Sequence, residues 1–301
     1  MLAEKIIMLR PSNFGYNPET AITNAFQERP DGTKQQIKSQ ALTEFDGLVG
    51  TLQEAGIHID IWEEDASDIN TYDAVFLNNW FSTHPDNTIF TYPMFSPSRR
   101  LERNSKYLEN LTNTYQVLTK ISLENYEQLG IFLESTGSMV IDHANGIVYG
   151  NRSPRTNEIL FFKWARLMGF TPILFDALDR NRISIYHTNV LMGLGERFVV
   201  INSEAIPYRD WEILKYHFNK TGKEIIEIDH SQMESFAGNV LPLVNKNGKR
   251  ILAMSTSAFE SLTRDQICRI EAHALIVKHD ISTIESVGGG SVRCMIAENY
   301  L

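Results

Sequence analysis

Residues 132–150 read FLESTGSMVIDHANGIVYG. A short apolar start meets Glu134, an apolar run follows, Asn145-Gly146 makes a turn, and a second apolar run returns. Asn-Gly between two apolar runs is the strongest short-range hairpin signal, so the stretch is a β-hairpin with one polar residue at its head. Downstream, NEILFFKWARLMG (157–169) has a helical period, and TPILFDAL (171–178) is a further strand.

The unit recurs. Its other heads are IIMLRPSNFGY (6–16), YDAVFLNNWF (72–81), ISIYHTNVLMGLG (183–195), FAGNVLPLVN (236–245) and SVRCMIAENY (291–300). Asn79, Glu134, His187, Asn239 and Cys294 follow one another at intervals of 55, 53, 52 and 55 residues. A near-constant period of this size means repeated supersecondary units. The interval from Asn13 to Asn79 is 66, which predicts an insertion in the first unit, at QERPDGT (27–33).

Local signals agree. Asn247-Gly248 and the glycine pair Gly193 and Gly195 are further hairpin turns. Thr33 with Gln36, and Thr263 with Gln266, have capping-box spacing before IKSQALTEFDGLVGTLQEAG (37–56) and ICRIEAHALIVKH (267–279). SRRLERNSKYLENLTNTY (98–115) and WEILKYHFNKTG (211–222) read as helices, IHIDIWE (57–63) and EIIEIDHS (224–231) as strands. Such repeats build either an open stack or a closed ring. In a ring the polar heads converge on the axis, and helices cover the outside.

The totals narrow the function. A chain of 301 residues can bury a large core, and we expect one domain over 1–301. A net charge of −9 argues against a nucleic-acid surface. The sequence contains no membrane-spanning run and no leader pattern, so a cytoplasmic protein is expected. Two cysteines make neither a disulfide framework nor a thiolate metal site, and the histidines have no ligand spacing; no metal or cofactor is expected. Nothing fixes the oligomeric state, and a homo-oligomer is compatible with the sequence.

Four motifs together carry a likeness. GGGSVRCM (288–295) is similar to the C-terminal cysteine motif of arginine deiminases, and HTNVL (187–191) resembles their His-x-Asp motif with asparagine in the aspartate position. FLESTGSMV (132–140) resembles their Glu-Gly-Gly-Asp strand, and NRSPRTNE (151–158) the stretch that follows it. Order and spacing agree over most of the chain, which resembles the pentein, or guanidine-modifying, superfamily. RPSNFGYNPETAITNAFQ (10–27) and NNWFSTHPDNT (78–88) also resemble the related citrulline hydrolases. The likeness implies an α/β fold, a five-bladed pseudo-symmetric propeller of ββαβ units. It also implies a cysteine-dependent hydrolase cleaving a C–N bond of a small guanidino or ureido amino acid.

That chemistry needs a nucleophile, a proton shuttle and polar ligands. Cys294 is the expected nucleophile, with Arg293 and nearby N–H groups favouring its thiolate and Arg293 also a candidate substrate ligand; Cys268, in DQICRIEAH, reads as packing. His187 is the expected acid and base. Glu134, costly to bury unpaired, would orient His187 or hold substrate N–H groups. Asn79 and Asn189 align with carboxylates of the deiminases. An amide both donates and accepts and carries no charge, which suits a neutral ureido group better than a guanidinium. Citrulline is therefore the favoured substrate. Arg155 is expected to grip the α-carboxylate. His84 and Asp86 are expected on a loop near the site without an assigned role, and Gly288–Gly290 to let backbone approach the substrate or to move as a lid. Rival readings are an arginine deiminase, a dimethylarginine hydrolase, an amidinotransferase and a non-catalytic binding propeller. A doubly wound fold is disfavoured by the hairpins and by the lack of a glycine-rich first turn.

Overall fold

The computed structural model describes residues 1–64 and 71–301. In chain order the strands are β1 (Lys5–Arg10), β2 (His58–Glu63), β3 (Phe81–Thr83), β4 (Thr88–Thr91) and β5 (Thr119–Ser122). Next come β6 (Val140–Asp142), β7 (Ile147–Asn151), β8 (Thr171–Phe175), β9 (Met192–Leu194) and β10 (Phe198–Ile201). The last are β11 (Glu224–Glu227), β12 (Leu241–Val244), β13 (Arg250–Ser255), β14 (Leu275–His279) and β15 (Ala297–Asn299).

The described residues form five three-stranded sheets: β15-β1-β2, β3-β4-β5, β6-β7-β8, β9-β10-β11 and β12-β13-β14. Every sheet has one plan. A short lead strand pairs antiparallel with the middle strand, which pairs parallel with the third. A parallel partner requires a crossover, and helices supply it: Lys34–Glu54, Ser105–Thr114, Glu158–Met168, Tyr208–Lys220 and Arg264–Glu271. Lead strands adjoin across sheets, β15 against β3, and β9 against both β6 and β12.

Middle strands are covered on both faces, so they read as continuous apolar runs; β4, β7 and β10 are buried throughout. Third strands keep exposed positions. Helices bury one stripe. Leu214 and Phe218, four apart on Tyr208–Lys220, join Val199 and Ile201 in one apolar cluster.

One expected unit is not a unit. Asn13 follows β1, a middle strand, and the lead strand of that sheet is β15 from the other end of the chain. The 66-residue interval therefore compares unlike positions. The first sheet does carry a long connection, residues 11–33, with one 3-10 turn at Thr20–Ile22.

Both capping boxes form as expected. The turns differ in detail. Gly146 (φ 61°) and Gly248 (φ 74°) take the left-handed conformation, whereas Asn145 and Asn247 do not, so these are loops of more than two residues. Neither Gly193 nor Gly195 has a positive φ; Gly193 pairs within β9 against Val200. Residues 98–115 are two helices, because Asn104 caps a new one at Ser105 after Pro97–Arg100 has ended. Residues 267–279 split likewise, the helix ending at Glu271 before β14.

Candidate active site

Each lead strand is entered from one tight helical turn. Asn79 closes the turn before β3. Glu134 and His187 precede the turns Ser135–Ser138 and Thr188–Leu191, which run to β6 and β9. Asn239 N donates to Phe236 O before β12, and Cys294 N to Ser291 O before β15. The five polar residues do not share one position: Asn79, Asn239 and Cys294 close their turns, whereas Glu134 and His187 open theirs, so the spacing in the chain marks the recurring turn and not one equivalent site. All are buried.

Asn79, Arg155, His187 and Cys294 line one narrow cavity, with Asp73, Arg99 and the Gly288–Gly290 backbone. Glu134 stands behind His187. Its Oε2 lies 2.7 Å from His187 Nε2 and 3.5 Å from Arg155 Nη1, while Oε1 accepts from Phe95 N at 2.9 Å. Burial alone would raise the Glu134 carboxyl, but Arg155, His187 and Arg99 outweigh it and hold it at about 2. An ionised Glu134 makes His187 Nε2 the donor and leaves Nδ1 as acceptor. Burial, with the charges of Arg155 and Arg99, pulls His187 down to about 4 against the opposing pull of Glu134. His187 is neutral at pH 7.

Gly137 explains how two of these groups meet. A Cβ there would lie 2.5 Å from Asn79 Nδ2 and 2.8 Å from His187 Nδ1. Glycine lets the amide and the imidazole close over one point of backbone.

Asn79 has a fixed orientation. Arg99 Nη1 donates to its Oδ1 at 2.6 Å, and its Nδ2 donates to Asn78 Oδ1 at 3.0 Å. Arg99 is itself buried and paired with Glu102 at 2.9 Å. Cys294 is surrounded by amides. Asn239 Nδ2 lies 3.2 Å from its Sγ and Asn189 Nδ2 3.6 Å away. Burial pushes the thiol up, opposed first by Asn239, then by the Ser291 backbone, Arg293 and Asn189.

At the far end of the cavity, Asp73 Oδ2 accepts from Asn17 and Thr20, whereas its Oδ1 has no partner. Arg155 Nη2 donates to Thr23 Oγ1 at 2.8 Å, its guanidinium carbon lies 4.9 Å from the centroid of the Tyr186 ring, and its Nε is unpartnered. Tyr186 Oη and Asn24 Nδ2 both donate to Gly289 O and pin the glycine loop. A positive φ of 66° at Gly289 ends the helix Ser282–Gly288 there.

Three expectations change. Arg293 does not reach this cavity; its guanidinium is spent on Glu298 at 2.9 Å and Ile296 O at 3.0 Å, facing a separate cleft. Only its charge acts on Cys294. Cys268 is exposed rather than packed. His84 is buried on Ser82 and near Trp164, and neither it nor Asp86 lines the cavity. Sequence reasoning passed over Arg99 and Asp73, which carry no motif, and gave Asn239 a place in the period but no role. Among the described residues no cluster of His, Cys, Asp or Glu could hold a metal, and no helix is long and apolar enough to cross a membrane.

Residues 10–301 match the family model for N,N-dimethylarginine dimethylhydrolase, eukaryotic. No curated protein sequence matches the chain. Solved structures do. An arginine dihydrolase from the ornithine-ammonia cycle in cyanobacteria superposes with a TM-score of 0.76 at 14% identity, over 97% of this chain and 40% of its own. This chain thus spans about two fifths of that protein. The N-terminal domain of the same dihydrolase, bound to substrate, gives 0.73 at 15% identity, over 99% of both chains. A dimethylarginine dimethylaminohydrolase gives 0.68 at 17%, over 99% of this chain and 100% of its own.

Proposed function

The chain belongs to the N,N-dimethylarginine dimethylhydrolase family of guanidino-modifying hydrolases, and from that premise we propose that it hydrolyses the ureido group of citrulline or a close analogue. The observation that carries the substrate choice is Asn79. Its oxygen is taken by Arg99, so what it turns toward His187 is an N–H donor. A guanidinium offers only donors and would be repelled; a ureido carbonyl accepts.

In the proposed reaction the Cys294 sulfur attacks the ureido carbon, and neutral His187 takes the thiol proton. His187 then gives that proton to the departing NH2, which leaves as ammonia. Water, deprotonated by His187, attacks the thio-linked carbon and the C–S bond breaks. The resulting carbamate loses carbon dioxide to give ornithine, so one water is consumed in all. Glu134 keeps His187 in the tautomer this requires. Arg155 is suited to the α-carboxylate and the free Oδ1 of Asp73 to the α-ammonium. Asn189 is an amide ligand at the sulfur, and Arg293 is not retained as a substrate ligand.

A second reading is a guanidino substrate, arginine or a methylated arginine, favoured by the family itself. Ammonia and alkylamine release from citrulline, arginine, agmatine and dimethylarginine, with Cys294→Ala as control, separates the two. Release from citrulline alone supports the ureido reading. Turnover of arginine or dimethylarginine, with none of citrulline, overturns it and retains the thiol mechanism.

A further inference from the structure

We infer that Asn239 is a catalytic residue of this site, its side-chain amide donating to the Cys294 sulfur and stabilising the thiolate formed when His187 takes the thiol proton. Two contacts fix the amide. Nδ2 donates to the backbone oxygen of Asn189 at 2.9 Å and to Cys294 Sγ at 3.2 Å. A carbonyl only accepts, so the nitrogen must be on this side, and its two hydrogens serve the carbonyl and the sulfur. Oδ1 is then turned away and, though the residue is fully buried, has no partner. Leaving a buried acceptor unmade is costly, so a residue kept only for packing would better be apolar.

The backbone is shaped to hold it. Phe236 takes a positive φ of 63°, and the turn ends with Asn239 N on Phe236 O at 2.8 Å. A Cβ on Gly238 would sit 2.4 Å from Val190 O, so only glycine lets this turn lie flat on residues 190 and 191. The amide is thereby locked against the chain that carries His187 and Asn189.

The sulfur needs such a donor. The charged and titratable groups around Cys294 are Arg293 behind it, Tyr186 and His187 beside it, and Arg99, Arg155 and Asp73 on the same cavity. Arg293 is neutralised by Glu298. The inference rests on Cys294 being the nucleophile of the proposed hydrolysis. A neutral ureido substrate brings no cation to help ionise it, which leaves the donor to the protein.

The test reads the thiol without substrate. In a Cys268→Ser background, iodoacetamide alkylation of Cys294 is followed by mass spectrometry against pH for Asn239, Asn239→Ala and Asn239→Asp. The midpoint should rise by about one pH unit in the alanine variant, as expected for losing one hydrogen bond to a charged group. It should rise at least as far with aspartate, whose size is unchanged and whose carboxylate opposes the thiolate. Circular-dichroism melting identifies which variant is folded, and the near-isosteric aspartate serves if alanine is not. An unchanged midpoint with rates scaled equally at all pH values means the residue governs access alone and overturns the inference. A shifted midpoint in a protein that releases no ammonia from citrulline keeps Asn239 in this role and removes the substrate reading instead.

Discussion

Arg99 donates to Asn79 across 2.6 Å and thereby decides which end of that amide the cavity meets. Arg99 has no freedom to let go. Besides Glu102, it donates to Phe76 O at 3.0 Å, and it is buried. Exchange of Asn79 for aspartate puts a carboxylate acceptor where an N–H now lies. Citrulline kcat/KM should fall by about 10²-fold or more, the size expected when a buried polar match is replaced by a mismatch. Steady-state ammonia release from citrulline checks this; an unchanged value would separate Asn79 from ureido recognition.

Glu134→Gln tests the tautomer. A glutamine can donate to Nε2, which would force the proton to Nδ1 and block the acceptor that faces Gly137. The expected loss in kcat is about 10²–10⁴-fold, the usual range for removing acid–base function. Citrulline KM should change less than kcat, because Glu134 lies behind the imidazole and its contact with Arg155 Nη1, at 3.5 Å, is the longer of the two. Equal losses in kcat and binding would instead assign the glutamate to substrate.

Gly137→Ala is the smallest substitution that should disable the site. The added methyl would press on Asn79 Nδ2 and on the His187 ring together. Activity should drop by at least about 10²-fold, in line with small misplacements of catalytic groups. Melting temperature and circular dichroism report whether the fold survives. An active Gly137→Ala protein would mean that the two groups part easily.

Acid should destabilise the protein through several buried groups; His187 and Glu134, in the site, share a sign, and His84, held down to about 3 by burial, adds to it. His187 is held below its ordinary value, so its unfolded form binds the extra proton first. The stability tied to its neutral state is complete above about 6.5 and lost as pH falls through about 4. Glu134 is also held down; its contribution is complete above about 4.3 and lost as pH falls through about 2. Urea midpoints measured from pH 7 to 4 should therefore decline less steeply for His187→Gln than for the unsubstituted protein. Parallel declines would show that the histidine is not the group responsible.

The heads of the repeats were legible because each is bound to a local grammar, an apolar run, a tight turn and a lead strand. Glu134, His187 and Cys294 could be found that way, and Asn239 was visible in the same spacing. Asn13 was misplaced because pairing of β15 with β1 closes a sheet from the two ends of the chain, which no local pattern announces. Arg99 was hidden by its neighbours. In SRRLER the arginines look like a solvated face, yet Arg99 turns inward while Arg100 and Arg103 reach Met94, Tyr92 and Glu127. Arg293 misled in the opposite direction, since adjacency to the cysteine in sequence does not carry its long side chain into the cavity. Asp73 has neither motif nor period, and only the fold sets it beside Thr20.

The pairing of β15 with β1 also orders events in time. A ribosome delivers Glu134, His187 and the amides first, then Cys294, and only afterwards the strand that seats it, through Lys5↔Asn299. The candidate nucleophile is thus the last of the proposed site residues to be synthesised, and the strand beside it comes later still.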